Sequence, residues 1–304
     1  MKAPHIPVLL DRVLQTFGDT NGWIVDATLG YGGHSEALLR SNPNIKIFGI
    51  DQDQEAIDFS AKRLAPFGER VRIQKGRYGQ KILEALEQLP VKGVLADIGV
   101  SSLQLDKKER GFGLQSETLD MRMDPQGALS AYEVVNYYDE ERLAKIFKEY
   151  GEIPQAKRLA KAVVEHRPIT SAKELAAIAQ KVLPKKGRIH PATTMFQAIR
   201  IEVNQELEEL AKLLDALERY RPSGAKVAII TFHSLEDRIV KNRFKEWAKK
   251  CICPPEAMRC ECGGENALGQ ILTKKPITAS SQEIDKNPRA RSAKMRVFEF
   301  KESV

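Results

Sequence analysis

The sequence contains no long hydrophobic run, which excludes a large class of proteins. No segment approaches the ~18 consecutive apolar residues that suggest a membrane-spanning helix. The first residues, MKAPHIPVLLDRVL, lack an apolar stretch followed by a small-residue cleavage site, which a secretory signal would have. We therefore expect a cytoplasmic protein that has no membrane partner.

Cysteine is also scarce, and its four copies are confined to residues 251–262. No cysteine lies elsewhere to link distant parts of the chain, so a secreted disulfide scaffold is excluded. The pattern C-x-C-x6-C-x-C offers enough thiolates for one tetrahedral zinc ion, bound by Cys251, Cys253, Cys260 and Cys262. The spacing is not the C-x2-C of common zinc ribbons. A reduced loop without metal, or one with reversible disulfides, is therefore the favoured interpretation, and zinc the alternative.

The composition is otherwise that of a globular protein with a basic balance. Hydrophobic residues make up 42% and charged residues 29%, which leaves ample material for a buried core. The 48 Lys and Arg residues exceed the 41 Asp and Glu residues, giving a net charge of +7. This excess favours a polyanionic partner such as a nucleic acid over an acidic small molecule.

The order of predicted elements changes twice along the chain. Strand-like runs alternate with amphipathic helical stretches over the first hundred residues, which predicts a parallel sheet with right-handed crossovers. Only helices follow, including 132–150, 156–166, 171–183 and 194–220, until a strand pattern returns at 225–232 and ends with 270–274 and 295–300. We predict an α/β domain in two parts, 1–106 and 205–304, that carries an inserted all-helical domain at 107–204.

A glycine-rich turn follows the first predicted strand. Gly30, Gly32 and Gly33 allow a sharp turn and a close approach of the backbone to a ligand at a helix N-terminus. Asp51 ends the second strand, 25 residues after Asp26, and a carboxylate there can accept both hydroxyls of a ribose. The combination indicates a cofactor that contains a nucleoside.

Two details of this turn favour S-adenosyl-L-methionine over a dinucleotide. A dehydrogenase turn reads G-x-G-x-x-G/A, but counting from Gly30 the last position is Ser35. Asp26 also puts negative charge before the turn, where it would repel a pyrophosphate and attract a sulfonium or an amino group. A nicotinamide-dependent oxidoreductase and a non-catalytic RNA-binding assembly factor remain as alternatives.

Motifs along nearly the whole chain are similar to those of the RsmH (MraW) family of bacterial methyltransferases. They are HIPVLLDRVL, TLGYGGHS, GIDQD, ADIGVSSLQLD, RGFG, LDMRMDP, HPATTMFQAIRIEVNQELE, TFHSLEDRIVK and NPRARSAKMR. The resemblance implies a Rossmann-like class I methyltransferase fold. It also implies methyl transfer from S-adenosyl-L-methionine to N4 of a cytidine in the decoding region of small-subunit (16S) ribosomal RNA, within the assembled 30S subunit.

The resemblance also implies which residues contact the cofactor. They are Gly32, Gly33 and His34 in the turn, Asp51 on the ribose, Tyr78 beside the adenine, and Asp97 and Gln104 after the fourth strand.

Residues at the ends of the fourth and fifth strands are candidates for catalysis. A cytosine amino group is a poor nucleophile and must be held in line with the methyl group, so an acceptor such as Asp97 is expected. Ser101 and Ser102 can line the base pocket, although simple loop hydrogen bonds explain these serines equally well. Phe232 can stack on a flipped base and His233 can hydrogen-bond it. The nearby Glu236 is predicted to cap the following helix.

Basic residues concentrate in three runs, at 157–167, 181–190 and 289–296. Such runs are often only solvated faces. Because the protein is basic overall, we expect at least one of the runs to contact RNA phosphates. The helical insertion is accordingly predicted to recognise the substrate.

Overall fold

The structure is a computed structural model that describes residues 6–184, 190–254, 256–257 and 259–303, without the side chains of Ser102 and Leu103. The chain forms two compact units. One contains residues 1–99 and 209–304, and the other contains residues 100–208. These divisions lie a few residues from the predicted boundaries at 106/107 and 204/205.

The first unit is built on an eight-stranded sheet, which confirms the predicted α/β class. Its path runs β3-β2-β1-β4-β5-β8-β6, and β7 pairs with β8. Strands β1 to β5 are parallel, whereas β8 is antiparallel to β5, β6 and β7. The strands are β1 Gly22–Asp26, β2 Ile45–Asp51, β3 Val71–Lys75, β4 Val91–Asp97, β5 Lys226–Thr231, β6 Gly269–Ile271, β7 Ile277–Thr278 and β8 Lys294–Phe300.

Both faces of this sheet are covered, because successive side chains of a strand point to opposite faces. Trp23 and Val25 of β1 belong to one apolar cluster, and Ile24 belongs to the other. The first cluster includes side chains from α4, α11 and α12, and the second includes side chains from α1, α2 and α3. These helices are α1 Leu10–Phe17, α2 Gly33–Ser41, α3 Gln54–Leu64, α4 Tyr78–Gln88, α11 Glu206–Tyr220 and α12 Ser234–Trp247; a short helix, α13 Ser281–Lys286, precedes β8.

The described elements of residues 100–208 are all helical. They are α5 Ser102–Asp106, α6 Ala131–Tyr137, α7 Glu140–Glu149, α8 Ala156–Glu165, α9 Ala172–Val182, α10 Thr193–Asn204 and the start of α11. Their apolar faces enclose a separate core that includes Phe147, Leu159 and Met195. Capping boxes at Ser130 and Ser171 fix where α6 and α9 begin.

Two long helices expected from the sequence are each broken. The segment 132–150 forms α6 and α7, because the Asp139 side chain accepts a hydrogen bond from the Arg142 N–H and starts a new helix. The segment 194–220 forms α10 and α11, which are separated by Gln205 in the left-handed conformation at φ 55°. Both single-helix predictions were wrong, because apolar periodicity continues across a short break.

Among the residues that the structure covers, no helix is long and apolar enough to cross a membrane.

Candidate active site

The carboxyl ends of the parallel strands carry the acidic residues of the site. Asp26, Asp51 and Asp97 are the last residues of β1, β2 and β4. Parallel strands end at the same edge of a sheet, and here the strand order changes direction between β1 and β4. Open α/β sheets bind their ligands at such a switch point. The fold therefore collects three carboxyl groups at its natural ligand crevice.

The glycine-rich turn between β1 and α2 is bonded to Asp51. Gly30 and Gly32 have φ of 50° and 71°, a region that side chains disfavour. Asp51 Oδ2 accepts a hydrogen bond from Gly30 N–H at 2.7 Å, and its Oδ1 accepts one from Asp53 N–H at 2.9 Å. Burial raises the pKa of the Asp51 carboxyl to about 6. The sequence-predicted turn and acid thus lie together.

Asp26 is a buried partner of the same turn. Its side chain accepts a 2.6 Å hydrogen bond from the Ser35 hydroxyl and a longer one from Thr28 N–H. Burial is the largest influence on this carboxyl and raises its pKa. Sequence reasoning treated Asp26 only as a charge and Ser35 only as a departure from the dinucleotide pattern. It therefore missed that Ser35, in the first turn of α2, helps to hold Asp26 in place.

The side chains of Asp97 and His34 lie close together and contain buried polar atoms that lack hydrogen bonds. His34 Nε2 lies 3.5 Å from Asp97 Oδ2, and the Asp97 N–H donates to Thr28 Oγ1 at 2.7 Å. Neither ring nitrogen of His34 nor Asp97 Oδ1 has a hydrogen-bond partner among the described residues, although these atoms are buried. A buried polar atom without a partner costs about 1–3 kcal/mol. The pair is therefore arranged for polar groups that arrive with a ligand.

A second such pair follows β5. His233 Nε2 lies 2.9 Å from Glu236 Oε1, yet neither atom makes a hydrogen bond within the described chain. Glu236 Oε2 accepts hydrogen bonds from the N–H groups of Phe232 and His233, which confirms the predicted cap of α12. The ring of Phe232 lies over Gly99, where a Cβ would come within 3.2 Å of the ring. The absence of a side chain at Gly99 thus leaves room for the ring of Phe232.

The remaining predicted residues lie in different surroundings. Tyr78 is partly buried and begins α4, just after β3, at the same sheet edge. Ser101 and Gln104 belong to the helical unit and cap α5: Gln104 Oε1 accepts from Ser101 N–H at 3.0 Å, and Ser101 Oγ accepts from Gln104 N–H at 3.2 Å. The side chain of Ser102 lies outside the described part of the structure.

These features fit a cationic ligand that contains a nucleoside. The three carboxyl groups favour a positive charge, and the glycine turn exposes backbone where a bulky group can approach. A Cβ at Gly33 would lie 2.5 Å from Pro7 Cγ, so this position accepts only glycine without a shift of the neighbouring proline. The unsatisfied atoms of His34 and Asp97 offer additional hydrogen bonds to such a ligand.

Comparison with known proteins identifies the family. A sequence model of the MraW methylase family matches residues 2–301. The chain belongs to the MraW methylase family. It is 70% identical to the ribosomal RNA small subunit methyltransferase H of Nitratiruptor sp. over 99% of this chain and all of that protein. It is 56% identical to the protein of the same name from Sulfurimonas denitrificans, over 98% of both chains. The resemblance predicted from the motifs is therefore confirmed.

A solved rRNA methylase from Streptococcus thermophilus aligns with this MraW family member at 12% identity and a TM-score of 0.39, covering 96% of this chain and 94% of that one.

In this MraW family member, some residues of the predicted basic runs are structural and others are exposed. Arg296 is buried and makes two hydrogen bonds to Asp237, and Arg167 donates to the carbonyls of Val135 and Tyr138, so both are structural. Lys157 and Arg158 are exposed on α8. Residues 185–189 of the second run lie outside the described residues.

Proposed function

We propose that this protein transfers a methyl group from S-adenosyl-L-methionine to the exocyclic N4 amino group of a cytidine in the decoding region of 16S ribosomal RNA, within the 30S subunit. The observation that carries the proposal is the partly exposed Asp97 carboxyl at the switch point of the sheet, whose buried Oδ1 has no hydrogen-bond partner among the described residues. The names of the close relatives, which specify small-subunit ribosomal RNA, support the substrate.

The first half of the site is assigned to the cofactor, which supplies its methyl group on a sulfonium. Asp51 accepts the ribose hydroxyls, and its bond to Gly30 holds it in register with the turn. The backbone at Gly32 and Gly33 and the ring of His34 line the path of the cofactor. Tyr78 lies beside the adenine. Asp97 and Gln104 complete the set of cofactor contacts in this proposal.

Asp97 is assigned the task of activating the amino group. The lone pair of a cytosine N4 is delocalised into the ring, so the amino group must be turned and held for attack. A hydrogen bond from N4–H to Asp97 Oδ1 fixes this orientation and grows stronger as N4 becomes positive. The same oxygen is in reach of the proton that N4 then loses. The bond from Asp97 N–H to Thr28 Oγ1 keeps the strand end in place during this step.

Phe232 and His233 are assigned to the target base. The exposed part of the Phe232 ring can stack on a flipped cytosine, which is a common way to hold an unpaired base. His233 contributes a ring nitrogen that lacks a partner in the described chain. Ser101 and Ser102 are kept as candidates for the base pocket, although the Ser101 hydroxyl already caps α5.

Recognition of the ribosomal RNA is assigned to the helical unit. Lys157 and Arg158 are exposed on one helix, and contacts from such cations to phosphates supply affinity without reading sequence. In this proposal the specificity for one cytidine comes from the pocket, and the helical unit contributes affinity for the subunit.

The test is methyl transfer from radiolabelled S-adenosyl-L-methionine to 30S subunits from a strain that lacks this modification, followed by nucleoside analysis. We expect labelled N4-methylcytidine from 30S subunits and little from free 16S RNA. A matched pair of variants, Asp97→Asn and the exposed Asp19→Asn, should lose and keep the label respectively. A different labelled nucleoside would refute the acceptor. Tight cofactor binding without label would indicate a non-catalytic assembly factor, and binding of a nicotinamide dinucleotide instead would indicate an oxidoreductase.

A further inference from the structure

The loop between α12 and β6 brings the four cysteines together. Cys251 Sγ lies 3.6 Å from Cys260 Sγ and 3.7 Å from Cys262 Sγ, and the last two sulfurs are 3.5 Å apart. The sulfur of Cys253 lies within 4.8 Å of the other three. Residues that are up to eleven positions apart in sequence thus point their thiols at one spot.

These distances match the edges of a metal-centred tetrahedron. A Zn–S bond of about 2.3 Å in a tetrahedral site places neighbouring sulfurs about 3.8 Å apart. The three measured edges differ from that value by only a few tenths of an ångström. They are much longer than the ~2.05 Å of a disulfide bond. The arrangement is therefore closer to a tetrathiolate ligand set than to two bonded pairs.

Backbone N–H groups further prepare the sulfurs for a metal. Ile252 N–H donates to Cys262 Sγ at 3.4 Å, and Glu261 N–H donates to Cys253 Sγ at 3.3 Å. Hydrogen bonds of this kind orient the ligands of a metal site from the shell around it. Each donor follows one ligand in the sequence and bonds to another, so the two C-x-C segments support each other across the loop.

The ends of the loop are also held together. Asn266 Nδ2 donates to the carbonyls of Cys262 and Lys250, and its N–H donates to Lys250. Gly263 and Gly264 turn the chain immediately after the last cysteine with φ of 77° and 72°. Cys251 and Cys260 are exposed, so the described part of the loop does not bury its cysteines in an apolar core. A small exposed loop of this kind needs a cross-link to hold its shape.

We infer that Cys251, Cys253, Cys260 and Cys262 bind one structural zinc ion that fastens the loop between α12 and β6. The favoured interpretation of the sequence was a loop without metal, because the C-x-C spacing departs from that of common ribbons. In the folded chain the two C-x-C segments lie against each other, so all four sulfurs come together despite the unusual spacing. All four ligands come from the protein, so the ion keeps no open position and takes no part in methyl transfer.

The first measurement is the metal content of the full chain, purified without a metal-binding tag in reducing buffer. We expect elemental mass spectrometry to find about one zinc ion per chain, because a closed four-cysteine site binds one ion. Replacing zinc with cobalt(II) should give the intense visible absorption of a tetrahedral thiolate complex. Cys260→Ser should lower the metal content at least severalfold, whereas Glu261→Gln, a neighbour that offers no ligand, should keep it.

A second measurement does not depend on how well the cysteine variant folds. Arg259 is exposed inside the loop and is a site for trypsin. Chelation should speed cleavage after Arg259 by about tenfold or more, since local opening exposes the backbone to protease, and added zinc should restore protection. Four free thiols with no metal, two stable disulfides, or iron in place of zinc would each overturn the inference. None of these results depends on cofactor binding or RNA methylation.

Discussion

The acids that end β1 and β2 differ from Asp97 at the end of β4 and Glu236 after β5 in how their oxygens are used. Asp26 and Asp51 bond to a hydroxyl and to backbone N–H groups of their own chain. Asp97 Oδ1 and Glu236 Oε1 are buried, and each lacks a hydrogen bond to any residue that the structure describes. Every oxygen of the first pair already has a partner in the chain and keeps a second lone pair for a ligand, whereas one oxygen of each acid in the second pair has no such partner.

This contrast separates residues that hold a ligand in place from residues that take part in the reaction. Complete networks are rigid and give a ligand a fixed frame. Unsatisfied buried atoms cost stability and are retained where function uses them. In the proposed reaction, Asp51 and the glycine turn hold the cofactor, whereas Asp97, which also contacts the cofactor, and His233 use their unsatisfied atoms on the cytidine. Four substitutions test this division, in order of decreasing expected effect.

Removing the Asp97 carboxyl should have the largest effect. We expect Asp97→Ala to lower kcat about a hundredfold or more, as loss of a group that acts in the transition state does. The melting temperature should stay the same or rise, because an unsatisfied buried oxygen is removed. Single-turnover methylation and thermal unfolding measure the two effects, with Asp19→Asn as the control. Normal turnover in Asp97→Ala would refute the role of this residue.

Asp51→Asn should weaken cofactor binding by about tenfold to a hundredfold, the usual worth of a hydrogen bond to a charged group. The raised pKa of Asp51, about 6, also predicts a pH effect. Above pH 6 the carboxylate can accept both ribose hydroxyls; below it the protonated form accepts less well, and affinity falls. Calorimetric titration between pH 5 and pH 8 should show this step in the wild type and not in Asp51→Asn.

The raised pKa of Asp51 affects protein stability in the opposite direction from cofactor affinity: stability falls as the pH rises. Because the folded state raises this pKa above the ordinary value of 3.8, the ionised Asp51 costs stability above pH 6, and that cost disappears as the pH falls towards 3.8. For the cofactor titration described above, an affinity that stays constant between pH 5 and pH 8 would contradict the assignment of Asp51 to the ribose.

Asp26→Ala should mainly reduce stability. The Ser35 hydroxyl and the Thr28 N–H would lose their shared acceptor, which costs about 1–3 kcal/mol in the free energy of unfolding. Asp26→Asn keeps an acceptor oxygen and removes a buried charge, so it should lose less. Denaturant unfolding of the two variants measures the difference. Equal stability of Asp26→Ala and wild type would show that this network does not support the turn.

Phe232→Leu should have the smallest effect and should act on the RNA substrate alone. Leucine keeps apolar contact with Gly99 but cannot stack, and base stacking is worth about 1–3 kcal/mol when measured with alanine. We expect KM for the 30S subunit to rise about fivefold to tenfold at unchanged cofactor affinity. Steady-state kinetics with subunits separate the two. An unchanged KM would remove Phe232 from the base pocket.

Most of the fold could be predicted, because its signals are local. The alternation of strand-like and helical stretches predicted the parallel sheet of β1 to β4, the strand pattern at 225–232 predicted β5, and the change to helices predicted the helical unit. Short elements were missed, among them α1 at Leu10–Phe17, α5 at Ser102–Asp106, α13 at Ser281–Lys286 and the strand β7 at Ile277–Thr278. A strand of two residues has no pattern of its own; it forms only because β8 offers an edge.

The positions of some site residues could be predicted because they depend only on spacing along the chain. Asp51 and the glycine turn follow from spacing alone, since the ends of parallel strands meet. The bond from Ser35 to Asp26 joins residues nine apart and depends on how α2 leaves the turn. Arg296 was counted with a basic run, but pairing with Asp237 makes it structural. Neither partner could be found without the three-dimensional fold.

The division of the chain also bears on the order in which the protein is made. The helical unit is one uninterrupted segment, residues 100–208. The α/β unit needs β8, which is synthesised nearly two hundred residues after β4 and joins β5 to β6. Since domains fold as their residues emerge from the ribosome, the helical unit can be complete while the sheet still waits for its last strand.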